Sequence, residues 1–227
     1  MSSSTTSEKE TITVFEATAI ELLRTLVGFD TTSYKSNLEL IEFIQSYLTN
    51  YGIQSTLVHD ESGKKANLYA TIGRTDIGGI MLSGHTDVVP VAGQDWDTDP
   101  FCLIESDDKL YGRGSADMKG FIALVLSRVP DMLSANLSKP IHLAFSYDEE
   151  VGCVGVQRLL DLMERQPIKP SCCIVGEPTS MEVVIGHKGK CARRVQVKGY
   201  ACHSGQSPFG VNAIDYEIGR ASCRERV

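Results

Sequence analysis

The sequence predicts an α/β fold with a mixed, largely parallel sheet covered by helices. Two observations predict it. Apolar runs typical of strands alternate with amphipathic stretches typical of helices along most of the 227 residues, and a chain of this length can bury a large core. After Pro178 the pattern changes to two short apolar runs, so we expect a smaller α+β domain to begin near there.

Apolar residues at helical spacing predict four helices. In the second helix, Ser36 and Glu39 have the spacing of a capping box, and Gly52 ends the pattern. Pro130 should break or kink the third helix because its ring does not fit inside a regular helix. The predicted helices cover residues 14–27, 36–52, 118–134 and 154–164.

Five apolar runs predict the strands of the main sheet. Because strands that alternate with helices form parallel sheets, most of this sheet should be parallel. Beyond it, residues 182–185 and 191–198 predict a hairpin around Lys188 and Gly189. The predicted strands of the main sheet cover residues 53–58, 67–72, 80–82, 141–145 and 172–175.

The charge balance narrows the class of partner. The sequence has 22 Lys and Arg residues against 29 Asp and Glu residues, a net charge of −7. This argues against nucleic acid, which needs a basic face, and against an anionic membrane surface. No apolar run approaches the roughly 18–20 residues that span a bilayer, and residues 1–10 do not resemble a secretory signal. We therefore predict a cytoplasmic protein without a membrane or nucleic-acid partner.

The seven cysteines predict reduced thiols rather than a disulfide framework. Their number is odd, no Cys-x-x-Cys pair occurs, and Cys172 adjoins Cys173. This pattern is typical of a cytosolic protein. A cysteine nucleophile paired with a histidine is an alternative, but nothing in the local sequence favours one of these thiols.

Side chains able to bind a metal follow three of the predicted strands directly. In open α/β sheets ligands bind beyond the carboxyl ends of the strands, so parallel strands would bring these side chains to one edge. Asp117 lies in a glycine-rich turn before a helix, where the backbone can approach a site closely. The residues that follow the strands are His85 and Asp87, then Asp148, Glu149 and Glu150, and then Glu177.

These residue types fit zinc. Imidazole nitrogens and carboxylate oxygens bind Zn²⁺, and a catalytic site leaves one position open for water. Asp117, Glu150 and Glu177 with one bridging hydroxide carry four negative charges, which balance two Zn²⁺ ions. Asp87 lies two residues after His85 and could accept its second N–H group, which would fix the tautomer.

Each of these motifs alone is more often a solvated loop or a turn, but their order is specific. Together they resemble the aminoacylase/carboxypeptidase/deacetylase family of di-zinc hydrolases over about residues 15–216. The motifs lie at residues 83–90, 96–101, 112–120, 148–150 and 176–179. Within the family, further segments favour a member that acts on an N-acetylated amino acid. These segments are residues 29–33, 36–38, 187–189, 203–205 and 210–214.

The resemblance implies a fold like that of the zinc peptidases and a role for each metal-site residue. One zinc would be held by His85 and Glu177 and the other by Glu150. Asp117 would bridge the two ions. Co²⁺ is an alternative to Zn²⁺. The family's last zinc ligand is a histidine later in the chain, and the sequence offers no candidate for it before Val227.

The resemblance also implies three catalytic roles. Glu149 would be the general base, and Asp87 would orient His85. His203 would reach the active site of a partner subunit and steady the oxyanion. The residues alone do not decide between Glu149 and Glu150, because adjacent side chains of an extended segment point in opposite directions unless the chain bends.

The domain organisation implied by the resemblance has a catalytic part and the start of a lid through which a homodimer would form. The expected parts are a disordered start at 1–10, an incomplete catalytic metal-binding domain at 11–181, and the beginning of a lid and dimerisation domain at 182–216. Residues 217–227 resemble an in-frame translation of a sequencing adapter, and we expect them to be an artefact.

The implied substrate is a small N-acetylated amino acid. An N-succinylated amino acid and a broader range of N-acyl amino acids are alternatives within the family. A hypothesis of another class is a fragment or pseudoenzyme that binds metal without turnover, because the expected last histidine and much of the expected lid are absent from the sequence.

Overall fold

The computed structural model describes residues 18–186, 188–189 and 194–216. The predicted disordered start at 1–10, the segment at 217–227 and His187 lie outside these residues. The chain divides into two compact units, Met1–Glu182 and Val183–Val227. Each unit is described by itself.

The first unit contains five helices and seven strands among its described residues. The helices are α1 (Ala19–Gly28), α2 (Leu38–Asn50), α3 (Lys119–Ser127), α4 (Val129–Ser134) and α5 (Val156–Glu164). The strands are β1 (Ser55–His59), β2 (Ala66–Ile72), β3 (Ile80–His85), β4 (Ile104–Ser106), β5 (Lys109–Tyr111), β6 (Ile141–Ser146) and β7 (Cys172–Val175).

The main sheet has five strands in the order β1-β2-β6-β3-β7. Strand β3 pairs in parallel with β6 and β7, whereas β2 is antiparallel to β1 and β6. Four of the five strands therefore run in one direction, which confirms the predicted mixed, largely parallel sheet. Ile80 pairs with both Ile141 and Cys172, so the three parallel strands begin together and end at one edge.

Helices lie on both faces of this sheet. On one face, α2 contacts β1 and β2, α3 contacts β3, and α1 packs on α3, with side chains such as Leu68 and Phe145 in the shared buried core. Successive strand residues point to opposite faces, and Asn67 donates a hydrogen bond on the other face to the Gly155 carbonyl, directly before α5 (2.9 Å). Among the described residues, no helix is long and apolar enough to cross a bilayer.

The helix boundaries confirm one sequence prediction and correct another. Helix α3 ends before Pro130, which occupies the first turn of α4, as the ring of proline requires. The predicted capping box at Ser36 is wrong, because α2 is preceded by Asn37. The Asn37 side chain instead bonds the backbone N–H and carbonyl of Ala66, at 3.0 and 2.9 Å, so tertiary contacts decide where the helix begins.

The hairpins differ from the sequence prediction. The structure has a hairpin of β4 and β5, closed by Asp107 and Asp108, which both have positive φ. The predicted hairpin after residue 182 is wrong for the described part of that segment, which contains no strand. The apolar side chains there are exposed, Val183 at 92% and Ile185 at 99%, and a hairpin without a packed face is only marginally stable.

Candidate metal centre

The carboxyl ends of β3, β6 and β7 bring together residues that are distant in sequence. His85 is the last residue of β3, Glu149 and Glu150 follow β6, and Glu177 follows β7. The His85 Nε2 atom lies 2.9 Å from Asp117 Oδ1, 3.8 Å from Glu177 Oε1 and 4.0 Å from Glu149 Oε2. The sheet edge at which these residues were predicted to meet thus carries a cluster of one imidazole and several carboxylates.

Two sets of side chains in this cluster have the spacing of metal ligands. One set is His85, Glu149 and Glu177, and the other is His85, Asp117 and Glu150; within each, the ligand atoms lie within 4.8 Å of one another. His85 belongs to both. These five side chains thus offer two adjacent places for a cation.

The ring of His85 is held so that one nitrogen faces the carboxylates. The side chain is buried, and Nδ1 donates a hydrogen bond to the backbone carbonyl of Asp87 (2.8 Å). The Asp87 carboxylate is further away, with its Oδ1 atom 3.5 Å from Nδ1. A backbone carbonyl on the second nitrogen is a common way to fix the tautomer of a metal-binding histidine. It leaves Nε2 free to bind a cation.

A local bend after β6 places Glu149 and Glu150 on the same side. Asp148 has a φ of 57°, in the left-handed region, and the Glu149 carbonyl accepts hydrogen bonds from the N–H groups of Gly152 and Cys153 (2.9 Å each). The chain therefore turns at once instead of continuing as a strand. Both glutamates can then reach the cluster, which adjacent residues of an extended segment cannot do.

Hydrogen bonds to the Asp87 carboxylate stabilise this bend. Its Oδ1 atom accepts a hydrogen bond from the Glu149 N–H (3.0 Å), and its Oδ2 atom accepts from the Glu150 N–H (3.3 Å) and the Ser33 hydroxyl (2.7 Å). Burial opposes its charge, but hydrogen bonds from His85, Ser33 and Glu149 lower the pKa of Asp87. Asp87 therefore stays ionised and joins the strand that carries His85 to the turn that carries the glutamates.

Asp117 is presented by the turn between β5 and α3. Gly114 has a φ of 81°, and a Cβ atom there would lie 2.7 Å from Val88 Cγ1, so the turn packs closely on the chain after β3. The Lys119 side chain is buried and donates a hydrogen bond to the Phe29 carbonyl (2.7 Å). Burial lowers the pKa of Lys119 to about 7.

The charges of the cluster favour a cation. Burial and the neighbouring Asp117 carboxylate raise the pKa of Glu150. Burial raises the pKa of Glu177 as well, and the Asp117 and Glu149 carboxylates add to this, although His85 opposes it. Burial alone would lower the pKa of His85, but its carboxylate neighbours, Asp87 first, raise it to about 9. Several negative charges in one place repel each other, and a proton or a cation relieves this repulsion. Because carboxylates and imidazole are also zinc ligands, the cluster fits one or two divalent cations.

Sequence reasoning did not find the residues that hold the cluster from outside. Ser33 and Lys65 contact Asp87 and Asp148, and Cys153 Sγ lies 3.4 Å from Glu149 Oε1. These contacts join residues of different elements or depend on the bend, so no local sequence pattern predicts them.

His203 lies in the second unit, where its Nδ1 atom accepts a hydrogen bond from the Gly205 N–H (3.2 Å) at the start of a 3₁₀-helix, Ser204–Phe209. Its catalytic role stays a prediction.

Known proteins match the chain in sequence and in fold. The family model described as Peptidase family M20/M25/M40 matches residues 81–225. The acetylornithine deacetylase of Pasteurella multocida (strain Pm70) is 37% identical over 192 residues, which cover 84% of this chain and 49% of that protein. The acetylornithine deacetylase of Shigella sonnei (strain Ss046) is 37% identical over 204 residues, 86% of this chain and 52% of that protein. The chain thus spans about half the length of these relatives.

Solved structures share the fold at lower identity. Human carnosine dipeptidase 1 superposes with a TM-score of 0.60 at 23% identity, covering 69% of this chain and 38% of that protein. The metallo-carboxypeptidase Sso-CP2 of Sulfolobus solfataricus has a TM-score of 0.60 at 21% identity, covering 70% and 37%. At these identities the two structures support the architecture of the sheet and helices alone.

Proposed function

Because the chain belongs to the peptidase family M20/M25/M40, we propose that it carries the metal centre of a di-zinc amide hydrolase. The proposed reaction removes the acetyl group from N2-acetyl-L-ornithine to give L-ornithine and acetate, a step that would serve arginine biosynthesis. The observation that carries the proposal is the cluster at the ends of β3, β6 and β7, in which His85 faces four carboxylates. The choice of substrate is supported by the acetylornithine deacetylases that the chain resembles.

We assign the metal ligands from the cluster and from the family resemblance together. His85 and Glu177 would hold one zinc, and Glu150 would hold the other. Asp117 would bridge them, in keeping with its position 2.9 Å from His85 Nε2 and in one set with Glu150. Glu149 has the spacing of a ligand too; the resemblance, not the geometry, makes it the general base. Co²⁺ would fit the same nitrogen and oxygen donors.

Each residue of the site would have a defined part in amide hydrolysis. Bound zinc would supply Lewis-acid polarisation of the amide carbonyl and a lowered pKa for water. Glu149 would take a proton from the attacking water as the oxygen–carbon bond forms. It would then give a proton to the ornithine nitrogen as the carbon–nitrogen bond breaks. The Asp87 carboxylate would hold Glu149 in place by accepting a hydrogen bond from the Glu149 backbone N–H. His203 from a partner subunit would donate a hydrogen bond to the oxyanion.

The role of His203 requires a dimer, so we also propose that the second unit begins a lid and dimerisation domain in a cytoplasmic homodimer. The proposed parts remain those expected from the sequence, with the catalytic domain over residues 11–181 and the lid from 182 to 216. A small N-acetylated amino acid would be the sole ligand besides the metals.

Metal analysis and deacetylation together test the proposal. We would measure bound zinc by mass spectrometry and acetate release from acetylornithine, for the 227-residue chain and for a version extended to the length of its relatives. N-succinyl-diaminopimelate and N-acetylmethionine serve as competing substrates. Two bound zinc ions without acetylornithine turnover in the extended protein would overturn the substrate, and turnover of a competing substrate would identify the alternative. Absence of bound metal would overturn the metal centre.

A further inference from the structure

Asp148 is the first residue of the acidic turn, yet its carboxylate points to a different partner from those of Glu149 and Glu150. Its Oδ1 atom forms an ion pair with Lys65 Nζ, and both side chains are mostly buried, at 16% exposure for Lys65 and 15% for Asp148. Surface ion pairs usually contribute little, because water screens them and both side chains must be ordered. This pair is largely shielded from water.

Lys65 has a second acceptor that links it to the other side of the metal centre. Its ammonium group also donates a hydrogen bond to the backbone carbonyl of Ser33. The Ser33 hydroxyl donates to Asp87 Oδ2 (2.7 Å), and the Ser33 N–H donates to the Val88 carbonyl (3.1 Å). Ser33 is therefore attached to the segment after β3 by its side chain and its backbone, and to Lys65 by its carbonyl.

Two supports thus converge on the same turn. Lys65 holds the side chain of Asp148, whereas Asp87 holds the backbone N–H groups of Glu149 and Glu150. Ser33 joins the two supports. The turn between them contains Asp148, whose backbone lies in the left-handed region, which is uncommon for residues other than glycine although aspartate adopts it more readily than most.

We infer that Lys65 and Ser33 are positioning residues that fix the turn at 148–150, so that Glu149 and Glu150 present their carboxylates to the metal centre. The inference rests on the proposed function, since it assigns these residues to a metal site. Without the ammonium group, the Asp148 carboxylate loses its cation within a cluster that is already negatively charged. It then repels its two neighbours or competes with them for the metal, and the geometry of the ligands changes in either case.

Cobalt binding tests the inference without relying on turnover. Co²⁺ is titrated into the metal-free protein, the visible absorption spectrum reports the ligand geometry, and competition with a chelator gives the dissociation constant. Lys65→Met should weaken Co²⁺ binding by up to about 10-fold, the lower end of the effect of losing an outer partner of a metal ligand, because Lys65 acts on the ligands through Asp148, and it should change the spectrum. Lys65→Arg keeps the positive charge and can still donate to both Asp148 and the Ser33 carbonyl, so it should restore most of the affinity. Ser33→Ala should weaken binding in the same direction.

The adjacent Lys64 supplies a matched control, because its side chain is exposed and it contacts Asp60 through its backbone N–H. Lys64→Met should leave both affinity and spectrum unchanged. Adding Asp148→Asn to Lys65→Met removes the unpaired carboxylate and should recover part of the lost affinity. A Lys65→Met protein with the affinity and spectrum of the original would overturn the inference, even if its melting temperature falls. An original protein that binds no Co²⁺ would instead overturn the proposed function.

Discussion

The Asp87 carboxylate should stabilise the folded chain even when no metal is bound. It is buried and accepts hydrogen bonds from two backbone N–H groups, those of Glu149 and Glu150, and from the Ser33 hydroxyl. The substitution Asp87→Asn keeps the size of the side chain but replaces one oxygen by an amide donor. In either orientation of the amide, this donor faces at least one backbone N–H, and that hydrogen bond is lost.

The expected magnitude follows from the loss of one backbone hydrogen bond, because the Ser33 hydroxyl can donate or accept and keeps its contact in either orientation. With the amide oxygen in place of Oδ2, the bonds to Ser33 and Glu150 remain and the bond to the Glu149 N–H is lost. A hydrogen bond to a charged group contributes about 1.5–3 kcal/mol. We therefore expect the free energy of unfolding of the metal-free Asp87→Asn protein to be lower by about 1.5–3 kcal/mol at neutral pH. Urea denaturation followed by circular dichroism in the presence of a chelator measures it.

The pH dependence of this difference gives a second check. The pKa of Asp87 is lowered in the folded chain, so its stabilising effect is present above the unfolded-state pKa of about 3.9. It is lost as the pH falls through the lower folded-state pKa. The two proteins should therefore converge in stability at acid pH. Asp76→Asn is the control, since Asp76 is exposed and pairs with nearby Arg74 in the described part of the chain. A difference below about 0.5 kcal/mol at neutral pH for Asp87→Asn, within the range of ordinary surface substitutions, would refute the reasoning.

Further substitutions and a pH titration test the rest of the site. Glu149→Gln should abolish deacetylation while zinc content stays near that of the original protein. Asp117→Ala should lose bound zinc as well, and two retained ions would contradict a bridging role. Because a proton on His85, whose pKa is raised to about 9, competes with the metal, Co²⁺ affinity should fall by about tenfold per pH unit below that value; a flat profile would contradict this. Gly176→Ala would place a Cβ atom 2.1 Å from the Phe121 ring and should lower the free energy of unfolding by about 1–3 kcal/mol, measured in urea against the original protein.

Much of the fold and the position of the cluster follow from short-range patterns. The apolar runs before His85, Glu149 and Glu177 are strands, and their parallel register brings all three residues to one edge. This worked because the carboxyl ends of adjacent parallel strands are neighbours whatever separates them in sequence. The break at Pro130 is similarly local, since the ring of proline alone decides it.

The features that could not be predicted depend on tertiary contacts. The bend that turns Glu149 and Glu150 to the same side uses a left-handed aspartate, and aspartate adopts other conformations so often that its presence alone does not predict this turn, as a glycine would. The β4–β5 turn uses two such aspartates, Asp107 and Asp108, in place of the usual Asn-Gly. Lys65 meets Asp148 across 83 residues of chain, and nothing near Lys65 in sequence distinguishes it from Lys64.

The candidate metal centre can form only when β3, β6 and β7 share one edge, so metal binding depends on the correct pairing of these strands. His85 ends β3, whereas Glu150 and Glu177 follow β6 and β7 after long stretches of sequence, and the three meet only when these strands are paired. A chain with one of these strands out of place offers scattered single ligands, so a divalent cation should select the native arrangement from all others. By mass action, metal at 100 times its dissociation constant would stabilise that arrangement by about 2.7 kcal/mol. Metal supply would then influence how much of the chain is folded as well as what the folded chain can do.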